Sequence, residues 1–279
     1  MVCVVTDYNY LYKFLCLYES LDYPISILCI DDETYEKLKS LSLDNLTVYS
    51  VYETGLIRDK NILYCNELQG TAYSTYCFAL ASMFSKYIMD NIKPNWVTYI
   101  DSDEYFYKPF DLVLDNIGDK SIGFTPCFVY DENTDVGKFN VGVCYFKNDN
   151  IGREALNLWV DCVINSESPY RSLSEYGSYS CPDQKYIDLL WKKYKIHFKE
   201  IDIKHGAPYL FGYYDNQDDY VFIHFMKFKV LESGYDWVDG VPVGTMGFLD
   251  GKFIDIHNVK KIYDDYYEKS LKVIKRYNL

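Results

Sequence analysis

Two carboxylates separated by one residue, Asp101 and Asp103, are the side chains of this sequence best suited to chemistry. They follow a short apolar run at residues 96–100, which is bounded by turn residues and is typical of a buried strand. Ligands of open α/β sheets bind beyond the carboxyl ends of the strands, where this pair would lie. Paired oxygen ligands suit Mg²⁺ or Mn²⁺, so the pattern predicts metal-assisted transfer from a phosphate-activated donor. The alternative is a solvated turn, in which the carboxylates only lead the chain into a loop.

The segments before this pair alternate between strand and helix patterns, which is typical of a mostly parallel sheet with right-handed crossovers. Short apolar runs predict strands over 2–6, 25–30 and 46–51. Helical spacing of apolar residues predicts helices over 8–21, 32–41 and 74–91, and Asp32 can cap the second of them.

The pattern changes after the pair, where two strand-like runs follow each other without a full helix between them. These runs, 121–126 and 141–147, predict a mixed sheet in this region. Further elements are predicted by the same spacing rules: helices over 151–164, 183–193 and 258–277, and a strand over 220–225. No internal repeat and no clear linker divides the 279 residues.

Charge and cysteine usage restrict the partners and the compartment. The net charge of −13 disfavours nucleic acid or an anionic membrane as a general partner, although a metal and local lysines can still hold an anionic donor. None of the nine cysteines forms a Cys-x-x-Cys pair, and most lie inside apolar runs. No run is long enough to span a membrane, and residues 1–6 favour a strand over a signal peptide. We therefore expect a cytoplasmic protein without a transmembrane segment.

Five motifs in this order together resemble the nucleotide-sugar glycosyltransferases of the GT-A fold, in particular the family-8-like branch that includes glycogenin and bacterial lipopolysaccharide hexosyltransferases. The resemblance extends from about residue 2 to residue 229. The motifs are Val5-Thr6-Asp7-Tyr8-Asn9-Tyr10-Leu11, Tyr99-Ile100-Asp101-Ser102-Asp103, Phe139-Asn140-Val141-Gly142-Val143, Pro182-Asp183-Gln184-Lys185 and His224-Phe225-Met226-Lys227.

The resemblance implies an α/β protein with a Rossmann-like, mixed but mostly parallel sheet flanked by helices. We expect one GT-A domain over 1–230 and a C-terminal helical extension over 231–279 that packs on it. The implied donor is a UDP-sugar, the implied cofactor is Mn²⁺ or Mg²⁺, and the implied acceptor is a glycan or another hydroxyl compound. The oligomeric state stays open, with a homodimer as one possibility.

The resemblance also assigns roles to residues around the donor nucleotide. Thr6, Asp7 and Tyr8 would contact the base and ribose, although Asp7 could equally be only a helix cap. The implied metal ligands are Asp101, Asp103 and His224, with Ser102 lying between the two carboxylates. Separately, the backbone freedom of Gly206 suggests that His205 and Gly206 form a loop on the nucleotide side.

Lys227 is the residue that matches the lysine of the family, which would neutralise the diphosphate. The family pattern His-x-x-Gly-x-x-Lys lacks its glycine here, which leaves the placement of Lys227 open. The alternative for His224 is a histidine of the hydrophobic core.

Three further residues would lie near the donor sugar and are the catalytic candidates that the resemblance implies, with Asp183 and Gln184 nearest to the reacting centre. Asn140 resembles the asparagine of the family's Asn-x-Gly strand, and Asp183 with Gln184 resembles the pair beside the reacting carbon. The family implies transfer with retention of configuration. The alternatives are an inverting enzyme on the same fold and a non-catalytic nucleotide-sugar-binding protein. A plain helix cap is the alternative for Asp183.

Overall fold

The protein is described from a computed structural model that covers residues 1–56, 72–126, 137–164, 182–202, 206–207, 220–225, 228–231, 234–236, 248–249, 252–253 and 256–279. Its helices are α1 Leu11–Ser20, α2 Asp32–Leu41, α3 Ala72–Asn91, α4 Asp111–Ile117, α5 Asn150–Ile164, α6 Pro182–Lys185, α7 Ile187–Lys193 and α8 Ile256–Tyr277. Its longer strands are β1 Val2–Thr6, β2 Ile25–Cys29, β3 Leu46–Ser50, β4 Trp96–Ile100, β6 Ile122–Pro126 and β7 Phe139–Lys147. The shorter strands are β5 Glu104–Phe106, β8 Phe198–Glu200, β9 Gly206–Ala207, β10 Phe222–His224, β11 Lys229–Leu231, β12 Gly234–Asp236, β13 Phe248–Leu249 and β14 Lys252–Phe253.

A seven-stranded sheet in the order β3-β2-β1-β4-β7-β6-β8 forms the centre of the molecule. Every neighbouring pair in it is parallel except the two pairs that contain β7, which runs against both β4 and β6. The predicted α/β class with a mixed, mostly parallel central sheet is therefore confirmed. Antiparallel neighbours such as β6 and β7 need no crossover helix between them, which agrees with the two successive strand patterns of the sequence.

Helices cover the sheet and bury the apolar strands in two hydrophobic clusters. One cluster joins α1, α4 and α8 to side chains of β1, β2 and β10. The other joins α3, α5 and α7 to side chains of β4, β6 and β7, with Trp159 fully buried and packed against Phe124 and Phe146. Coverage of both faces explains the near-continuous apolar composition of the parallel strands.

A small sheet in the order β5-β10-β9 lies beside the end of β4 and continues the chain from the acidic pair. Strand β5 begins directly after Asp103 and pairs antiparallel with β10. The C-terminal helix α8 packs against α1, where Ser270 contacts Cys16 and Arg276 forms an ion pair with Glu19. The last helix of the chain therefore packs directly on the first.

Some element boundaries differ from the sequence prediction. The helix predicted over 183–193 is two helices, α6 and α7, that are separated at Tyr186. Asp31, and not Asp32, caps α2, because its Oδ1 accepts a hydrogen bond of 2.7 Å from the Thr34 amide. The segment predicted as a helix from residue 8 begins with a 3₁₀ turn before α1. Helix α4 was not predicted, since its seven residues are too short for a clear period.

None of the helices in the described ranges combines the length and the apolar character needed to cross a bilayer.

Candidate active site at the end of strand β4

The acidic pair lies in a tight turn that connects β4 to β5. The Asp101 amide donates to the carbonyl of Gly142 on β7 at 2.8 Å, and the Glu104 amide donates to the Asp101 carbonyl at 3.1 Å. The first bond continues the pairing of β4 with β7 one residue beyond Ile100, and the second closes a turn that reverses the chain within four residues. The turn holds both carboxylates beyond the carboxyl end of β4, the edge of the sheet at which ligands of α/β proteins bind.

His224 approaches the same turn from the small sheet. Its strand β10 places it directly opposite Glu104, and the following amide of Phe225 donates to the Asp103 carbonyl at 2.9 Å. The Nε2 atom of His224 lies 3.0 Å from Asp103 Oδ1 and 3.6 Å from Asp101 Oδ2. The sequence separates these residues by 121 positions, and the pairing of β5 with β10 brings them together.

The three side chains form a donor set that a divalent cation can use. Ligand atoms of Asp101, Asp103 and His224 all lie within 4.8 Å of one another. Two carboxylates and one imidazole fit Mn²⁺ or Mg²⁺ and leave positions for water and phosphate oxygens. His224 is 5% exposed, as a core histidine would be, and both of its ring nitrogens face carboxylates.

Two charged residues that the sequence analysis did not select also belong to this cluster. Lys13 on α1 is 2% exposed, and its Nζ lies 3.3 Å from Asp103 Oδ2 and 4.2 Å from the centre of the Tyr10 ring. Glu104 is 1% exposed, and its Oε1 lies 3.4 Å from His224 Nδ1. A lysine inside the apolar pattern of α1 is the signal that could have identified the first of them.

The mutual fields of these groups shift their protonation. Burial raises the pKa of Asp101 to about 6 and that of Glu104 to about 8. Burial also acts to raise the pKa of Asp103, but the charges of Lys13 and His224 outweigh it and hold this pKa well below its usual range. For His224, burial lowers the pKa, whereas Glu104 and Asp103 raise it more strongly, to about 10. The metal-free cluster therefore holds protons that a cation would displace.

The predicted nucleotide-binding residues lie at the end of β1. Asp7 Oδ1 accepts a hydrogen bond of 3.1 Å from the Tyr10 amide, so Asp7 does cap the 3₁₀ turn that follows it. The Tyr8 amide donates to Asp31 Oδ2 at 3.0 Å, and its ring is 39% exposed, while Thr6 is buried. Tyr10 connects this turn to the acidic pair through Lys13, whose Nζ lies 4.2 Å from the centre of the Tyr10 ring and 3.3 Å from Asp103 Oδ2. Ser102 is buried between the two carboxylates.

The predicted sugar-side residues form a chain of contacts that leads away from the acidic pair. Asn140 Oδ1 accepts from the Gly142 amide at 2.7 Å, and Asn140 Nδ2 donates to Gln184 Oε1 at 3.4 Å. Asn140 and Gln184 are both buried, and Gly142 links them to Asp101 through its carbonyl. The structure thus brings β4, β7 and α6 together at one edge of the sheet.

The remaining predicted residues are described in part or not at all. Asp183 is placed in α6 by its backbone, and Gly206 pairs with Phe222 in the small sheet. His205 and Lys227 lie outside the described residues.

Comparison with known proteins identifies the fold. Solved structures that resemble the chain include apo mouse xyloside xylosyltransferase 1 (13% identity, TM-score 0.52, 75% of this chain and 86% of that one). An active-site mutant of LgtC is 14% identical at a TM-score of 0.50, over 81% of this chain and 86% of LgtC. The bifunctional glycosyltransferase WbbM in its apo form is 13% identical at a TM-score of 0.51, over 99% of this chain and 51% of WbbM.

The chain has the GT-A fold. At 13–14% identity, the likeness to these structures establishes the fold that they share with this chain. No family model matches the sequence. A sequence relative, the uncharacterized protein YfnF of Bacillus subtilis (strain 168), is 24% identical over 284 residues, covering 94% of this chain and 85% of YfnF.

Proposed function

We propose that this protein is a metal-dependent glycosyltransferase of the family-8-like branch, which transfers a hexose from a UDP-sugar to a hydroxyl of a glycan or similar acceptor with retention of configuration. The observation that carries this proposal is the convergence of Asp101, Asp103 and His224 within 4.8 Å at the end of β4 on a GT-A sheet. Their position at the ligand-binding edge of the sheet makes a solvated turn a poor description of the pair.

In this proposal Asp101, Asp103 and His224 hold Mn²⁺ or Mg²⁺. The bound cation would act as a Lewis acid toward the negative charge that develops on the departing nucleoside diphosphate. Lys13 holds Asp103 Oδ2 at 3.3 Å, which leaves Oδ1 directed toward His224 and the cation. Lys227 remains the proposed partner of the diphosphate as a point charge.

The donor would lie across the edge formed by β1, β4 and β7. Thr6, Asp7 and Tyr8 would hold the base and ribose, with the exposed ring of Tyr8 available for stacking. Gly206 would approach the nucleotide from the small sheet, and His205 stays a proposed contact on the nucleotide side. The base site and the metal site are neighbours along this edge, because Tyr10 contacts Asp7 on one side and Lys13, the partner of Asp103, on the other.

The sugar would lie beside Asn140, Asp183 and Gln184. The contact of 3.4 Å between Asn140 and Gln184 supports this placement, because it joins two of the three residues at one position. We also propose a division at residue 230, with residues 231–279 as an extension whose helix α8 packs on α1. Cytoplasmic localisation remains a prediction from the cysteine pattern.

Release of free nucleoside diphosphate from a panel of UDP- and GDP-sugars tests the proposal directly. The reactions contain Mn²⁺, Mg²⁺ or EDTA, and the wild-type protein is compared with Asp101→Asn and Asp103→Asn. Asp101→Asn should disturb the stability of the fold less than Asp103→Asn, because Lys13 forms its ion pair with Asp103. Asp119→Asn, which removes an exposed carboxylate after α4, is the control.

We expect slow, EDTA-sensitive hydrolysis of one UDP-sugar, reduced by about 10²-fold or more in both site variants and unchanged in the control. Metal-dependent binding of UDP-sugars without turnover in the presence of acceptor candidates would favour the non-catalytic binding protein. Absence of both binding and turnover would contradict the proposal.

A further inference from the structure

Glu104 is a buried carboxylate directly behind the imidazole of His224. The two residues are opposite each other in the antiparallel pairing of β5 with β10, so their side chains extend from neighbouring backbone positions on the same side. Both are almost fully buried, at 1% and 5% exposure. A carboxylate in such a place costs free energy unless a cation or a hydrogen-bond donor faces it.

The imidazole of His224 lies between two sets of carboxylates. Its Nε2 atom faces Asp103 and Asp101, and its Nδ1 atom faces Glu104 Oε1 at 3.4 Å. In the part of the chain that the structure describes, neither His224 Nδ1 nor Glu104 Oε2 has a hydrogen-bond partner. The distance to Oε1 is slightly longer than a hydrogen bond, and a small rotation of the Glu104 side chain closes it.

Gly142 keeps the space in which these groups meet. A Cβ atom at this position would lie 2.8 Å from His224 Nδ1 and would overlap Glu104 Oε1. A glycine at position 142 of β7 is therefore required for Glu104 to remain behind the imidazole of His224.

We propose that Glu104 is a positioning residue of the metal site, which accepts the Nδ1–H of His224 and so directs the lone pair of Nε2 toward the cation. This inference depends on the metal site of the proposed function. A ligating histidine commonly donates its second ring N–H to a carboxylate, which fixes the tautomer and the ring orientation. Asp101 and Asp103 cannot serve here, because they lie on the Nε2 side of the ring.

Mn²⁺ affinity measured from the electron paramagnetic resonance signal of the free ion tests this role without substrate. The wild-type protein is compared with Glu104→Leu, which removes the acceptor, and with Glu104→Gln, whose amide oxygen can still accept the Nδ1–H. Asp188→Asn is the matched control, because Asp188 is also a buried carboxylate but contacts Lys138 and Lys185.

We expect Glu104→Leu to weaken Mn²⁺ binding by about 10- to 100-fold, as is typical for loss of such a partner. Glu104→Gln should retain affinity within about threefold, and the control should match the wild type. Wild-type affinity in Glu104→Leu, or equal losses in Glu104→Leu and Glu104→Gln, would overturn the inference. Failure of the wild-type protein itself to bind Mn²⁺ would instead overturn the metal site of the proposed function.

Proton resonances of the histidine side chains provide a second readout that does not require the leucine variant to fold. The chain contains four histidines, so the Nδ1–H of His224 can be assigned in Mg²⁺-loaded protein by its loss in His224→Asn. We expect this proton to exchange slowly and to resonate far downfield in the wild type, and to shift upfield in Glu104→Gln, because a neutral amide is a weaker acceptor. An unchanged resonance in Glu104→Gln would show that Glu104 does not accept this proton and would overturn the inference.

Discussion

Replacement of Gly142 by alanine introduces one methyl group into the centre of the candidate site. The backbone of Gly142 does not adopt a left-handed conformation, so alanine is compatible with its dihedral angles. The added Cβ would lie 2.7 Å from Asn140 Oδ1 and 2.8 Å from His224 Nδ1, and it would overlap Glu104 Oε1. Each of these groups must move for the variant to fold.

The size of the effect follows from these distances. Ordinary van der Waals contact begins at 3.4 Å, so His224 Nδ1 must move by about 0.6 Å, the difference between 3.4 and 2.8 Å. Metal–ligand distances tolerate deviations of only about 0.2 Å. Overpacking lowers the free energy of unfolding by about 1–3 kcal/mol. Replacement of glycine by alanine also restricts the unfolded chain, which raises the free energy of unfolding by about 0.4–1 kcal/mol. The difference between these two ranges is a net destabilisation of about 0–2.6 kcal/mol, and we expect at least tenfold weaker Mn²⁺ binding.

Gly123→Ala on the neighbouring strand β6 is the matched control. Its Cβ would lie 3.1 Å from an atom of the Ile117 side chain, which can move, and it contacts none of the proposed ligands. Urea unfolding gives the free energy of unfolding for both variants, and an Mn²⁺ titration gives the affinity. We expect the control to change stability by less than about 1 kcal/mol and to bind Mn²⁺ as the wild type does.

The reasoning would be refuted by Gly142→Ala that binds Mn²⁺ with wild-type affinity. Equal stability losses in the two glycine variants, with metal binding intact in both, would mean that Gly142 is needed only for strand packing.

Two further predictions concern the charges of the metal-free cluster. His224 has a pKa of about 10 in the folded protein, above its ordinary 6.5, so its contribution to stability is complete below pH 6.5 and is lost as the pH rises through 10. Urea unfolding between pH 6.5 and 9.5 should show a decline that is shallower in His224→Asn, and an equal slope in both proteins would contradict this prediction. Lys13→Met should lower the free energy of unfolding by about 1.5–3 kcal/mol, because Asp103 loses the charged hydrogen bond from Lys13 and keeps His224 as its partner. Lys86→Met, which removes a partly exposed pair with Asp90, should cost less than about 1 kcal/mol, and similar losses in the two lysine variants would refute the distinction.

Local sequence patterns predicted most of the fold, because the signals that define strands and crossover helices are local. Apolar runs identified β1 to β4, and helical spacing identified α3 and α5, within a few residues of the structure. The patterns failed where local signals are weak or compete. Helix α4 is too short for a period, and Tyr186 interrupts a helix whose apolar spacing continues through it.

The candidate site was predictable only for residues within a motif. Asp101 and Asp103 follow a recognisable strand, and His224 follows from the resemblance. Glu104 and Lys13 were missed because their roles depend on long-range placement. The register of β5 against β10 brings Glu104 to His224, and the packing of α1 beneath the turn brings Lys13 to Asp103. A lysine inside the apolar pattern of α1 marks Lys13 as unusual but does not name its partner, and the residues around Glu104 give no comparable signal.

The packing of α8 on α1 has a consequence for synthesis of the protein on the ribosome. Helix α1 ends at residue 20 and α8 begins at residue 256, so 235 residues lie between the two helices that pack together. At translation rates of about 5–20 residues per second, the apolar face of α1 is synthesised about 10–50 s before α8, the helix that packs on it. During that interval His224 is also absent for most of the time. The nascent N-terminal strands therefore have to avoid aggregation before α8 is made. Metal binding cannot stabilise them during this time, because the ligand set is incomplete without His224.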